Sequence, residues 1–178
     1  MTTSTGPRRA LIFTGNGKGK TTAALGMVLR ASGHGHRVSV IQFVKDDDTT
    51  GEVSAVKHLP GVSLEQTGLG FVPKPDHPQF VEHKERAEEG LAVAKEATSD
   101  GTHDLVVLDE ACVAISLGLI DEASVLELIA ETAPQTAIVL TGRGASERLI
   151  EAVDTVTEMR MIRHGLQQGL TAEKGVEW

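Results

Sequence analysis

Six stretches of the chain read as strands: residues 10–14, 38–43, 62–66, 105–109, 137–141 and 155–161. Several are continuous apolar runs instead of alternating ones, the pattern of strands buried on both faces of a parallel sheet. Helical spacing fills the intervals. Residues 21–32 place Leu25, Val28, Leu29 and Ser32 on one side and stop at Gly33, a suitable C-terminal glycine. Phe80, Ala87, Leu91 and Ala94 recur at helical intervals, with a Glu82–Arg86 pair on the outside. Residues 123–131 repeat the pattern with Val125, Leu128 and Ile129, and Ser124 or Asp121 supplies the cap. This strand–helix alternation predicts an α/β fold, a mostly parallel open sheet with helices on both faces. Residues 1–9 read as a flexible arm and residues 10–178 as a single domain. The longest irregular stretch, "TGLGFVPKPDHPQ" at residues 67–79, is rich in glycine and proline, and loops of that length in compact domains usually carry function.

The first strand runs into "GNGKGKTT". Strand, glycine-rich turn, Gly-Lys-Thr and helix is the order of a phosphate-binding loop. Gly15, Gly17 and Gly19 let the backbone curl so that amides face an anion, and the helix start adds the positive end of its dipole. Lys20 brings a point charge to the outer phosphates and Thr21 a hydroxyl for magnesium. The expected nucleotide contacts are Gly15, Asn16, Gly17, Lys18, Gly19, Lys20, Thr21 and Thr22. Thr14 stands where the motif ordinarily has its first glycine. A dinucleotide site fits less well, because the glycine spacing differs and the second strand ends in Gln42-Phe43 where an acid would hold the ribose.

Two further strands end in polar residues. "LVVLDEA" closes on Asp109 and Glu110, placed for a metal-directing acid at the carboxyl end of a buried strand. Either acid could take the metal; Glu110 could instead only begin the next helix. "IVLTGRG" presents Arg143, whose planar fork suits a phosphate.

Composition narrows the partners. Net charge is −8, so no global basic field attracts nucleic acid or a membrane surface. An anion site must then be built locally. At ~4 Å and an effective dielectric near ~20, one charge pair is worth about 4 kcal/mol, enough to offset distant acidic groups. The single cysteine, Cys112, leaves no internal disulfide and no cysteine-based zinc cage, in keeping with a cytoplasmic protein. No apolar run is long enough to span a membrane, and "MTTSTGPRR" lacks the apolar core of a signal peptide.

The ordered set of the phosphate loop, "ASGHGHRVSVIQFVK", a Gly-Phe loop, "VVLDE", "TGRG" and a closing "GVEW" resembles the P-loop corrinoid adenosyltransferases over residues 11–178. The resemblance implies a RecA-like P-loop fold, ATP with Mg2+ (Mn2+ possible), and a homodimer. It implies that the cobalt(I) of cob(I)alamin or cob(I)yrinic acid a,c-diamide attacks the ribose 5′ carbon of ATP and releases triphosphate. A reduced flavoprotein would supply the electrons. By the same resemblance Lys20, Glu110 and Phe71 are catalytic, Arg143 contacts triphosphate, and Thr21 with Glu110 or Asp109 holds the metal. Phe71 is the aromatic that helps remove the lower axial ligand of the corrinoid. Two departures stand out: "GFVP" replaces the Gly-Phe-Thr-Trp of well-known members, and only a short arm precedes the first strand where they carry a basic helix. Two other activities remain compatible with the residues themselves: an ATPase or kinase that releases ADP, and an ATP-switched carrier that delivers corrinoid without catalysis.

Overall fold

The computed structural model describes residues 9–176, so residues 1–8 of the expected arm and the last two residues of "GVEW" lie outside the described residues. The six expected strands are all present: β1 (Arg9–Thr14), β2 (Val38–Gln42), β3 (Val62–Gln66), β4 (Leu105–Asp109), β5 (Ala137–Thr141) and β6 (Thr155–Glu158). All pair in parallel, in the order β3-β2-β4-β5-β1-β6. Arg9, expected in the arm, belongs to β1 and registers with Ala137.

Alternate residues of the central strands feed two cores, which is why their sequences are continuously apolar. Ile12, Val106, Leu108, Ile138 and Leu140 face one cluster, with Ala87, Leu91 and Leu128. Val38, Val40, Val107 and Val139 face the other, with Ala24 and Val28. The helices are α1 (Lys20–Gly33), α2 (Gly51–Val56), α3 (Phe80–Ser99), α4 (Ala111–Ser116), α5 (Glu122–Glu131) and α6 (Glu147–Glu151).

Several local expectations are corrected. The buried stripe of α1 is Lys20, Ala24, Val28 and Ser32, whereas Leu29 is exposed. An i, i+4 row beginning at Lys20 turns Leu29 outward. In α3 the ion pair of Arg86 is with Glu89, one turn onward, in place of the expected Glu82. Asp121 caps α5 by accepting a hydrogen bond from the Ser124 amide. β6 ends at Glu158, three residues early: the Met159 amide makes the last ladder bond, to the Thr14 carbonyl at 2.8 Å, and the Met159 carbonyl then accepts from the phosphate loop.

Candidate functional site

The carboxyl ends of β1, β2, β4 and β5 converge on a cavity of about 440 Å3 at the start of α1. Residues 17–22 form one wall; Lys45, Glu52, Glu110 and Arg143 form the others. Gly175 and Val176 approach it from the C-terminal segment. Among the expected nucleotide contacts, Gly17 through Thr22 and Arg143 line this space, and Gly15 and Asn16 lie on the turn behind it.

The turn folds as it does because the chain passes very close. A Cβ on Gly17 would lie 2.7 Å from the Met159 carbonyl oxygen, and the Gly17 amide donates to that same oxygen at 2.6 Å. Only a glycine admits such an approach. The Gly17 amide is therefore engaged with β6's extension and not directed at the cavity. Thr14 has a role of its own: its hydroxyl accepts from the Ala145 amide at 3.4 Å and ties the phosphate loop to the turn after β5.

Lys20 is 7% exposed and donates to the Gly17 carbonyl at 2.8 Å. Burial holds its pKa below the usual lysine value, and the Arg143 guanidinium adds to that effect against the pull of Glu110 and Asp109. An ammonium destabilised in this way gains most from an incoming polyanion.

Asp109 and Glu110 have distinct surroundings. Asp109 is 1% exposed and takes donors on both oxygens. Thr21 Oγ1 and Thr141 Oγ1 donate to Oδ1 at 2.8 and 2.7 Å. Gln42 Nε2 donates to Oδ2 at 2.9 Å, and Lys45 Nζ lies 3.3 Å from the same oxygen. A carboxylate offers about four acceptor sites, and here all are occupied. Glu110 instead forms part of the cavity wall. It is the N-cap residue of α4 with φ of 61°, a left-handed conformation unusual for a side-chain-bearing residue, and its amide donates to Thr141 Oγ1. Burial, reinforced by the neighbouring Asp109 charge, raises its pKa above the usual glutamate value.

Phe71 stands apart from the nucleotide cavity. It is 93% exposed, so it does not pin its loop to the body, and it borders a second cavity of about 520 Å3 with Pro73, Lys74 and His77.

Residues not anticipated from sequence complete the arrangement. Lys45 pairs with Glu52 at 3.1 Å as well as with Asp109. Burial opposes its charge, but the two carboxylates outweigh it and raise its pKa. Gln66 Nε2 donates to Gln42 Oε1 at 2.9 Å, extending the network to β3. The available signal was position: Gln42, Lys45 and Thr141 all fall at or just past the carboxyl ends of central strands.

Comparison with known proteins gives a consistent assignment. The model of the family "ATP:corrinoid adenosyltransferase BtuR/CobO/CobP" matches residues 8–178. A corrinoid adenosyltransferase of Pseudomonas aeruginosa is 41% identical over 169 residues, covering 94% of this chain and 82% of the relative. That of Escherichia coli K12 is 33% identical over 168 residues, covering 94% and 84%. In fold, the flagellar accessory protein FlaH of Methanocaldococcus jannaschii superposes with a TM-score of 0.58 at 11% identity, covering 86% of this chain and 71% of that one. The fold is the RecA-like P-loop fold that the family resemblance implies, built on the open α/β sheet the strand–helix pattern predicts. The chain belongs to the ATP:corrinoid adenosyltransferase family.

Proposed function

We propose that this chain transfers the 5′-deoxyadenosyl group of ATP to the cobalt(I) of a corrinoid and releases triphosphate. The observation that carries the reading is the convergence of Lys20, Arg143, Thr21 and Glu110 on one cavity. In the reaction the cobalt(I) electron pair forms the Co–C5′ bond while the C5′–O bond breaks, and triphosphate leaves with that bonding pair. Cobalt is thereby raised formally from I to III.

The protein's part is to position the reactants and to stabilise the leaving charge. Lys20 and Arg143 neutralise the triphosphate, and the start of α1 contributes its dipole. Phe71, exposed at the loop tip, packs against the corrin face and displaces the lower ligand.

Magnesium suits these residues. Among the described residues no group of three or more His, Cys, Asp or Glu forms a metal cage. Mg2+ characteristically takes one or two protein ligands and completes its shell with phosphates and water. Thr21 and Glu110 would hold it, with Asp109 acting through the Thr21 hydroxyl. The ion would neutralise charge on the leaving triphosphate. A single domain that includes Arg9, a cytoplasmic homodimer and a reduced flavoprotein donor complete the proposal.

The test incubates purified protein with ATP, Mg2+ and chemically reduced cobalamin. Visible spectra should report a new cobalt–carbon bond and phosphate analysis should find triphosphate. Release of ADP would overturn the reading in favour of an ATPase or kinase. Binding of both substrates without bond formation would identify a carrier.

A further inference from the structure

The geometry points to Lys45 as a positioning residue for this reaction: bridged to Glu52, it fixes the Asp109 carboxylate that aims the Thr21 hydroxyl at the metal. The inference rests on the proposed Mg-ATP chemistry of the cavity and adds a residue to it.

Asp109 is almost wholly withdrawn from water. Three of its donors are neutral: the hydroxyls of Thr21 and Thr141 and the amide of Gln42. Lys45 brings the cation, with its Nζ 3.3 Å from Oδ2. Oδ2 is thus held by Gln42 and Lys45, which leaves Oδ1 directed at Thr21. A carboxylate fixed at one oxygen presents the other in a defined direction, and Thr21 Oγ1 meets it at 2.8 Å. Once its proton is committed to Asp109, the Thr21 oxygen offers its lone pairs outward, in the orientation a cation needs.

Lys45 is itself held in place. Glu52, near the start of α2, fixes its ammonium at 3.1 Å. The flanking backbone is clamped by the segment that carries Phe71: the Gly70 amide donates to the Val44 carbonyl at 2.9 Å. Gly68 sits so close to Val44 that a Cβ there would meet the Val44 carbonyl carbon at 2.1 Å. Residues 44–46 therefore lie between the nucleotide acid and the loop proposed to meet the corrinoid.

Calorimetric titration of ATP, with Mg2+ and with a chelator, tests the role in the parent, Lys45→Met, Lys45→Arg and Glu52→Ala. The parent should bind ATP at least tenfold more tightly with Mg2+. Lys45→Met should keep its metal-free affinity within about threefold and lose most of the metal increment. Lys45→Arg should recover the increment, and Glu52→Ala should lose part of it. Equal weakening of ATP with and without Mg2+ in Lys45→Met would make Lys45 a direct phosphate ligand and overturn the inference. So would a parent-like increment in that variant, or the absence of any increment in the parent. If Lys45→Met does not fold, an undiminished increment in Glu52→Ala overturns it equally. Failure of the parent to release triphosphate with reduced cobalamin would remove the transferase reading while leaving the titrations decisive for Lys45.

Discussion

Thr21 and Asp109 are 88 residues apart in sequence and 2.8 Å apart in space, with the Thr21 hydroxyl donating to Asp109 Oδ1. This bond joins the start of the first helix to the end of the fourth strand. Thr21→Val removes it and leaves a buried carboxylate short of one donor, which should lower stability by about 1–3 kcal/mol. Thr21→Ser keeps the hydroxyl. We expect Thr21→Val to lose most Mg2+-dependent ATP binding and Thr21→Ser to retain it. Chemical denaturation with ATP titration checks both; parent-like metal dependence in Thr21→Val would contradict the assignment.

Lys20→Met should abolish ATP use in a protein that remains folded. Burial already disfavours the ammonium, so the apolar replacement costs the fold little. Turnover and ATP affinity near those of the parent would exclude Lys20 from the mechanism.

Glu110 should show a conflict between stability and activity. A left-handed conformation costs a side-chain-bearing residue about 1–2 kcal/mol, and glycine is free of that strain. Glu110→Gly should raise the unfolding free energy of the metal-free protein by about 1 kcal/mol and abolish turnover. The pH dependence has a definite sign. The folded-state pKa is raised, so the native state binds the proton more tightly than the unfolded chain does. Relative to Glu110→Gln, the parent is least disadvantaged at acid pH and loses stability as pH rises from the unfolded glutamate pKa through the raised folded value. Melting temperatures of the two proteins should diverge across that window and run parallel above it.

Cys112 should be inert in the native protein. It is fully buried, and burial together with the Glu110 charge pushes its pKa up to about 12. At pH 8 the thiolate fraction is about one in ten thousand. A thiol reagent should label the chain only after denaturant is added. Rapid labelling under native conditions would show that α4 opens readily.

Phe71→Ala should leave ATP binding unchanged and keep much of the activity with prereduced cob(I)alamin. With cob(II)alamin and a mild reductant it should lose most activity, because nothing then displaces the lower ligand. Equal rates for variant and parent under mild reduction would exclude the wedge.

The six strands were legible because each is an apolar run or ends in a recognisable turn. Helices α2 and α6 were not, since five or six residues give too little periodicity to register, and α4 was anticipated only at its start, through the alternative role of Glu110. The phosphate loop, Glu110 and Arg143 were legible for the same local reason: each directly follows a strand. Lys45 and Glu52 lie within "KDDDTTGE", a stretch assigned no role from sequence, although Lys45 falls just past the end of β2. Their role depends on β2 pairing with β4, which brings Gln42 into register with Asp109. That adjacency is a property of strand order and has no signature in either segment alone.

The contact between Gly17 and Met159 also sets a timetable for synthesis. β1 lies between β5 and β6, and its phosphate loop is braced by a residue near the far end of the chain. As the polypeptide leaves the ribosome, the first strand and its glycine turn emerge early but have neither neighbour until more than a hundred further residues have followed. Such long-range pairing is slow, because the intervening chain must be ordered before the contact is rewarded. The nucleotide cradle, encoded first, thus cannot complete its pairing until the far end of the chain is available, and a nascent chain halted before Met159 would carry the motif without the brace that shapes it.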